Sequence, residues 1–326
     1  IEKYMKSKIA LKSGLFIGLL FCLSAVSLAQ TSILKWKEVT SQFGPLPNSV
    51  KVFESENTYQ DSAFKGFYVE IDTKDKNLHL DTDTTLFRRL TPQQFYTRLE
   101  QPLVVVNSSF FEFKRNTNVN IVVKNGLPVS YNIHDIPGKG KDTLTYTHVL
   151  GAALGMDKKG SMDIAYTFTD SASKTIMYQQ LPMNAFKDSN AKLLGTNPNL
   201  TNLSVWKLKW ANGGGPVLMR SGRINISNNE ERKFAGKAIN DYHPRTAMGY
   251  DMDEKLIIMA IQGRMKGIAV GATLNQMAAF FEQLDCYEAI NLDGGGSSCL
   301  LVNGKETIKP SDPTGQRPVP AVFYVK

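Results

Sequence analysis

The chain has 326 residues, 42% hydrophobic and 21% charged, a globular composition with room for one large domain or two small ones and not that of a disordered or low-complexity chain. Its formal net charge of +8 suits an acidic substrate or a negatively charged envelope. No dense Lys/Arg stripe with interleaved aromatics is present, which argues against nucleic acid as a partner.

Met5 reads as the start. Lys6, Lys8 and Lys12 form a positive region ahead of the apolar run Leu15 to Val26, and Ser27-Leu28-Ala29 puts small residues at −3 and −1. This is the pattern of a signal peptide over residues 1–29, cleaved after Ala29. The run is short for the ~20 residues of a membrane span, and Phe21 before Cys22 is too large for a lipoprotein site. Cleavage removes four lysines and one glutamate and leaves a charge of +5. The expected address is therefore exported, periplasmic or extracellular, with no span left in the mature chain. Cys286 and Cys299 remain and are expected as two buried thiols.

Residues 30–60 show few periodic signals, and 30–100 as a whole is read as an N-terminal extension packing on a domain of residues 101–326. Strands are expected at Phe64 to Ile71 and Asn77 to Leu80. Thr91-Pro92-Gln93-Gln94 is a helix start, with Thr as N-cap and Pro at the first helical position. Leu103 to Val106 is an apolar strand running into Asn107-Ser108-Ser109. Val119 to Lys124 meets Asn125-Gly126, a hairpin signal repeated at Asn303-Gly304. Two further hairpins pair Leu154–Asp157 with Ser161–Ala165 and Met248–Asp251 with Lys255–Ala260. Their turn residues Asp157 and Asp251 read as structural. Pro182 to Asn202 reads as a long surface loop. Thr273 caps a second helix, in which Met277, Phe280, Phe281 and Leu284 recur at helical spacing. Tyr287 to Leu292 and Pro318 to Val325 close the list of strands. Many hairpins and two helices that do not alternate with strands point to an α+β fold with a largely antiparallel or mixed sheet.

Chemistry concentrates where strands end. After Asn291-Leu292 come Asp293, then Gly294-Gly295-Gly296, then Ser297-Ser298. A carboxylate, a backbone free of side chains and two hydroxyls suit a polar, phosphorylated ligand, because successive N–H groups of such a turn can converge on an anion. A second glycine cluster, Gly213-Gly214-Gly215 before Pro216, implies close approach to the backbone. In His243-Pro244-Arg245 the proline stiffens the presentation of a histidine and of an arginine, whose fork matches phosphate. Arg264 follows Gln262-Gly263 at another strand end. Glu112 is a reserve carboxylate. The sequence lacks H-E-x-x-H, G-x-S-x-G, C-x-x-C and a phosphate-binding-loop lysine. No cofactor or metal site is implied, although a Ca²⁺ held by oxygen ligands stays compatible with the sequence.

In this order, Val105-Val106-Asn107-Ser108-Ser109-Phe110-Phe111, Asn212 to Pro216, His243-Pro244-Arg245-Thr246-Ala247-Met248-Gly249, Gln262-Gly263-Arg264, Asn291 to Ser298 and Arg317-Pro318-Val319-Pro320 resemble the phosphodiester glycosidase family, from about Leu103 to the C-terminus. Gln262 stands where an acid is common in the family, and Cys299 replaces a usual Thr. The resemblance implies hydrolysis of a sugar-1-phosphodiester at the C1–O bond to free sugar and a phosphomonoester. It implies catalytic roles for Asp293, Arg245 and His243. It implies substrate contacts from Asn107, Gly213, Gly214, Gly215, Arg264, Gly294, Gly295, Gly296, Ser297 and Ser298. Two readings compete with it. One is a non-catalytic envelope protein that binds a phosphorylated glycan. The other is a metal-dependent phosphodiesterase that cuts the P–O bond.

Overall fold

Tight turns drawn from short sequence signals set the architecture. In a computed structural model, which describes residues 33–326, Asn125 (φ 49°) and Gly126 (φ 77°) both adopt the left-handed region. They close the hairpin between the strands Val122–Lys124 and Leu127–Ser130. Asn303 (φ 48°) and Gly304 (φ 73°) do the same between Leu300–Val302 and Lys305–Glu306. The Asp157 carboxylate accepts the N–H groups of Lys159 and Ser161. The Asp251 carboxylate accepts those of Asp253 and Lys255. Both aspartates are thus turn staples, as their positions predicted. The signal peptide expected over 1–29 lies outside the described residues.

Three antiparallel sheets carry the fold. The largest has eight strands, in the order Trp36–Glu38, Val50–Ser55, Gly66–Asp72, Lys255–Ile261, Arg245–Asp251, Cys286–Asn291, Val217–Arg220 and Arg223–Ile224. A seven-stranded sheet is centred on Leu208–Gly213, Gly151–Asp157 and Met162–Asp170. A five-stranded sheet runs Lys305–Glu306, Leu300–Val302, Val104–Asn107, Ala321–Val325 and Leu80–Thr84. Their inner faces share one core, to which Val69, Leu154, Trp210, Ile258, Ile290 and Phe323 contribute. The chain is therefore richer in β-structure than the α+β expectation suggests.

The three α-helices among the described residues are Pro92–Arg98, Asn228–Glu231 and Leu274–Gln283. Thr91 and Thr273 each complete a capping box with the glutamine three residues on. The Leu274–Gln283 helix lays Met277, Phe280 and Phe281 on the outer face of the large sheet, against Leu218, Ile257 and Met259. Thr273→Ala removes the side-chain acceptor for the Gln276 N–H and is expected to cost about 1 kcal/mol in chemical denaturation. An unchanged midpoint would show that the helix is held by its packed face alone. The single-turn helix Asn228–Glu231 carries no periodic signal and was not anticipated.

Two expectations shift. The strand placed at Asn77 to Leu80 lies instead at Leu80–Thr84, where Asp81, Thr82 and Asp83 are buried. The Lys124 ammonium and the Arg98 guanidinium pair with Asp83 there, so a polar strand is tolerated inside. The region expected as an extension, described over residues 33–100, enters the sheets directly. Gly66–Asp72 pairs along its whole length with Lys255–Ile261, and Leu80–Thr84 pairs with Ala321–Val325. Cys286 and Cys299 are free, buried thiols whose ionisation burial pushes up.

Candidate active site

The site forms where the large sheet meets the five-stranded one. Strand Val104–Asn107 ends at Asn107 and strand Cys286–Asn291 ends two residues before Asp293. The crossing is made by the backbone bond from Asp293 N–H to Ser108 O, while Leu292 N–H to Thr246 O continues the pairing inside the large sheet. Asn107 is fully buried and ties the junction together. Its Nδ2 donates to the Asp293 carbonyl at 2.6 Å, and its Oδ1 accepts from Thr246 Oγ1 at 2.9 Å and from Cys299 N–H at 3.0 Å. The expectation that Asn107 contacts a ligand is therefore corrected. With its amide committed to three protein groups, it positions Asp293.

Asp293 opens on a cavity of about 230 Å³, lined by His243, Arg245, Arg264, Gly294, Gly295, Gly296 and Arg317, with Phe110 and Phe234 as an aromatic wall. The two rings stand edge to face at 6.2 Å. A larger hollow of about 800 Å³ near Tyr131, Phe168 and Lys192 contains His134, but both nitrogens of that ring are spent on Val149 and Thr169. Chemistry, not size, selects the smaller cavity.

Burial pushes the Asp293 carboxyl up to about 7, against the pull of the Ser297 hydroxyl, the Arg317 guanidinium and the Gly294 N–H. Ser297 Oγ has no hydrogen bond of standard geometry, so the Asp293 carboxylate is its available acceptor. A carboxyl that titrates near neutrality in a cavity is suited to proton transfer.

Arg245 is buried and held from two sides: Nε donates to Ala272 O and Nη2 to Asp241 O, both at 2.9 Å. Its guanidinium lies 5.6 Å above the Phe234 ring. Burial lowers its pKa to about 10, opposed by Asp241 and assisted by Arg264, so it is a cation at neutral pH. Burial first, then Arg245 and Arg264, push the His243 pKa below its usual value, and Asp241 opposes them. A neutral ring follows. Arg264 Nη2 donates to His243 Nδ1 at 3.3 Å, which leaves the ring proton on Nε2, directed by the same hydrogen bond. Arg317 is fixed by a two-pronged pair with Asp312, at 2.7 and 2.8 Å.

The sequence-predicted residues separate into two groups. Asp293, Arg245, His243, Arg264 and Gly294 to Gly296 meet in the cavity. Gly213, Gly214 and Gly215 do not line it. Their N–H groups donate to Ile121, Ala152 and Asn291 carbonyls, so they serve close chain packing instead of ligand contact. Ser298 is buried outside the lining as well. The anion nest expected from the glycine turn is also largely used up. Gly295, Ser297 and Ser298 N–H groups donate to Pro244, Gly294 and Gly295 carbonyls, and the cationic groups of the cavity are the guanidinium groups of Arg245, Arg264 and Arg317. Gln262 is buried with Oε1 accepting the Lys309 N–H at 2.8 Å, a backbone brace that a neutral amide performs without a charge to desolvate. Glu112 caps its own turn by accepting the N–H groups of Lys114 and Arg115.

Phe110, Phe234 and Arg317 were not singled out. Phe110 lies within the first motif of the resemblance and Arg317 within the last, where its charge is the available signal. Among the described residues no group of three or more His, Cys, Asp or Glu is gathered to hold a metal ion. Arg245→Lys retains a charge but not the fork that spans the Ala272 and Asp241 carbonyls. It is expected to lower kcat/KM on a phosphodiester substrate about a hundredfold, read by steady-state kinetics.

A sequence profile of the phosphodiester glycosidase family matches residues 100–326. The chain is 35% identical over 118 residues to N-acetylglucosamine-1-phosphodiester alpha-N-acetylglucosaminidase of Mus musculus and 32% identical over 127 residues to that of Homo sapiens. These stretches cover 36% and 38% of this chain but only 22% and 24% of the relatives' length. In three dimensions the chain is similar to the zebrafish catalytic domain of the same name, auto-inhibited by its pro-peptide. The TM-score is 0.56 at 19% identity, over 90% of this chain and 88% of that one. A hypothetical protein from Synechocystis also matches with a TM-score of 0.56 at 16% identity, over 90% of this chain and 68% of that one. At these identities the structural likeness speaks to the fold.

Proposed function

Because the chain belongs to the phosphodiester glycosidase family, we propose that it is an exported glycosidase that hydrolyses a sugar-1-phosphodiester to free sugar and a phosphomonoester. The observation that carries this reading is a carboxyl raised to about 7 in a cavity walled by three guanidinium groups. The names of the relatives make N-acetylglucosamine the first sugar to try.

An ordinary glycosidase uses two carboxyls, one to protonate the leaving group and one as base or nucleophile. Here the leaving group is a phosphomonoester, whose second pKa is about 6, so it departs as an anion with little need of a proton. Arg245, Arg264 and Arg317 are placed to hold that charge, and His243 Nε2–H to donate to a phosphate oxygen. Asp293, ionised, takes a proton from the water that attacks C1, or attacks C1 itself to give a glycosyl ester that water then hydrolyses to free sugar. The C1–O bond breaks and its electron pair leaves with the phosphate. Phe110 and Phe234 offer the apolar face that a sugar ring stacks on. The site works in this reading with protein groups alone.

The test uses protein beginning at residue 30 and p-nitrophenyl phosphodiesters of several sugars, with products identified by mass, with and without EDTA. Free sugar with nitrophenyl phosphate, unaffected by EDTA, supports the reading. Sugar phosphate with nitrophenol would replace it with P–O cleavage. Secretion is checked separately, by fractionating cells that express the full chain.

A further inference from the structure

Beside the cavity, the wall made by Arg317 continues onto the outer surface as an aromatic ledge. Phe113 is 55% exposed. The Arg317 guanidinium lies 5.5 Å from its ring centre and that of Arg89 lies 5.3 Å away. Arg89 also covers Phe111 at 5.5 Å, and the Phe111 and Phe113 rings are 4.6 Å apart. The Phe87 carbonyl accepts a hydrogen bond from Asn116, which links the two chain segments.

The ledge is cationic. Arg88, Lys114 and Arg115 are exposed around it, and neither they nor Arg89 form an ion pair among the described residues. The neighbouring acids are committed: Glu112 to its own turn and Asp312 to Arg317. An apolar partner would leave these charges facing hydrocarbon, and a lone phosphate would make no use of an open ring. A sugar ring that carries a further anion uses both, with its C–H face on the aromatic surface and its anion on the guanidinium. The cavity itself, at about 230 Å³, lies below the ~300–1,000 Å³ of a common ligand cleft. It takes the reacting end of a substrate and leaves the rest outside.

We propose that Phe113 and Arg89 form a second subsite for the group across the phosphate, and that this group is itself an anionic sugar unit, as in a chain of sugars joined by phosphodiesters. This rests on the glycosidase reading above and names its substrate class.

Two probes test it: the methyl phosphodiester of N-acetylglucosamine, which ends at the phosphate, and a synthetic oligomer of N-acetylglucosamine 1-phosphate. The wild-type protein is expected to show a KM about tenfold lower for the oligomer. In Phe113→Ala and in Arg89→Gln that preference falls to about unity, while kcat/KM for the methyl diester is unchanged. Raising NaCl from about 50 to about 500 mM weakens the oligomer more than the methyl diester. Binding of both probes to Asp293→Asn protein, read by calorimetry with and without Phe113→Ala, scores the ledge without turnover. If the methyl diester is cleaved but the oligomer is neither preferred nor bound more tightly, the ledge is overturned and the glycosidase reading stands. If neither probe is cleaved, yet the oligomer binds tightly and loses that binding with Phe113→Ala, the glycosidase reading falls and the ledge stands as a glycan-phosphate site. Absence of both cleavage and binding overturns both.

Discussion

Asp293→Asn is expected to lower turnover of a sugar-1-phosphodiester by at least about a thousandfold while leaving a folded protein. The amide nearly matches the carboxylate in shape, so the bond from Asp293 N–H to Ser108 O and the bond from Asn107 Nδ2 to the Asp293 carbonyl are kept. What is lost is the proton acceptor or nucleophile, a contribution of several orders of magnitude in related chemistry. The pH profile carries a second signature. Both roles need the ionised form, and burial has pushed the carboxyl up to about 7, so activity is expected to rise with pH through about 7. Stability runs the other way. Between an unfolded carboxyl's ordinary pKa near 3.9 and the folded value, the native state holds a proton that the unfolded state has released. Stability therefore falls as pH rises through that window, and the cost is complete above about pH 7. Asn removes it, so Asp293→Asn should melt higher than wild type at pH 8 and equal to it at pH 4. A variant that retains most of its turnover would remove Asp293 from the mechanism. Equal melting at both pH values would remove the desolvation account of its pKa.

That residue was legible because the sequence displays the elements of its setting locally: a strand, a carboxylate at its end, then glycines that no strand interior favours. The same holds for the capped helices, the Asn-Gly hairpins and the aspartate-stapled turns, each written within a few consecutive residues. Asn107 was placed in the right neighbourhood with the wrong task. Its three hydrogen-bond partners lie 139 to 192 residues away along the chain, and no local pattern shows that three of the amide's four hydrogen-bonding positions will be taken by protein groups. The strand Leu80–Thr84 was misplaced for a similar reason. Its buried Asp83 is paired by Lys124 and Arg98, and its buried Asp81 accepts the Asn125 N–H, all of which arrive from elsewhere in the chain. Phe234 and Arg317 join the cavity through loops, where neither periodicity nor turn chemistry announces a direction. Strand ends that converge from different sheets make a site whose members are individually visible and whose division of labour is not.

Gly214→Ala is expected to destabilise the fold by about 2–4 kcal/mol, the largest single-residue effect on stability proposed for this chain. A methyl group there would sit 2.4 Å from the Asn291 carbonyl oxygen and 2.8 Å from Leu292 Cδ2. The carbonyl belongs to a strand that is hydrogen-bonded on both sides, to Arg245–Asp251 and to Val217–Arg220, so it cannot step back alone. Gly214 is also anchored, because its N–H donates to Ala152 O and its own carbonyl accepts from Asn120. Relief requires the seven-stranded and eight-stranded sheets to part at the point where they touch. The residue that moves is two positions before Asp293, so the same substitution should also lower kcat in whatever protein remains folded. Gly222→Ala is the control. Gly222 has φ +73° and nothing within 4 Å of the added methyl, so it tests left-handed backbone strain without crowding and should cost only about 1 kcal/mol. Denaturant midpoints of the two variants, compared with wild type, separate the mechanisms. If Gly214→Ala melts like Gly222→Ala, the glycine is dispensable for packing.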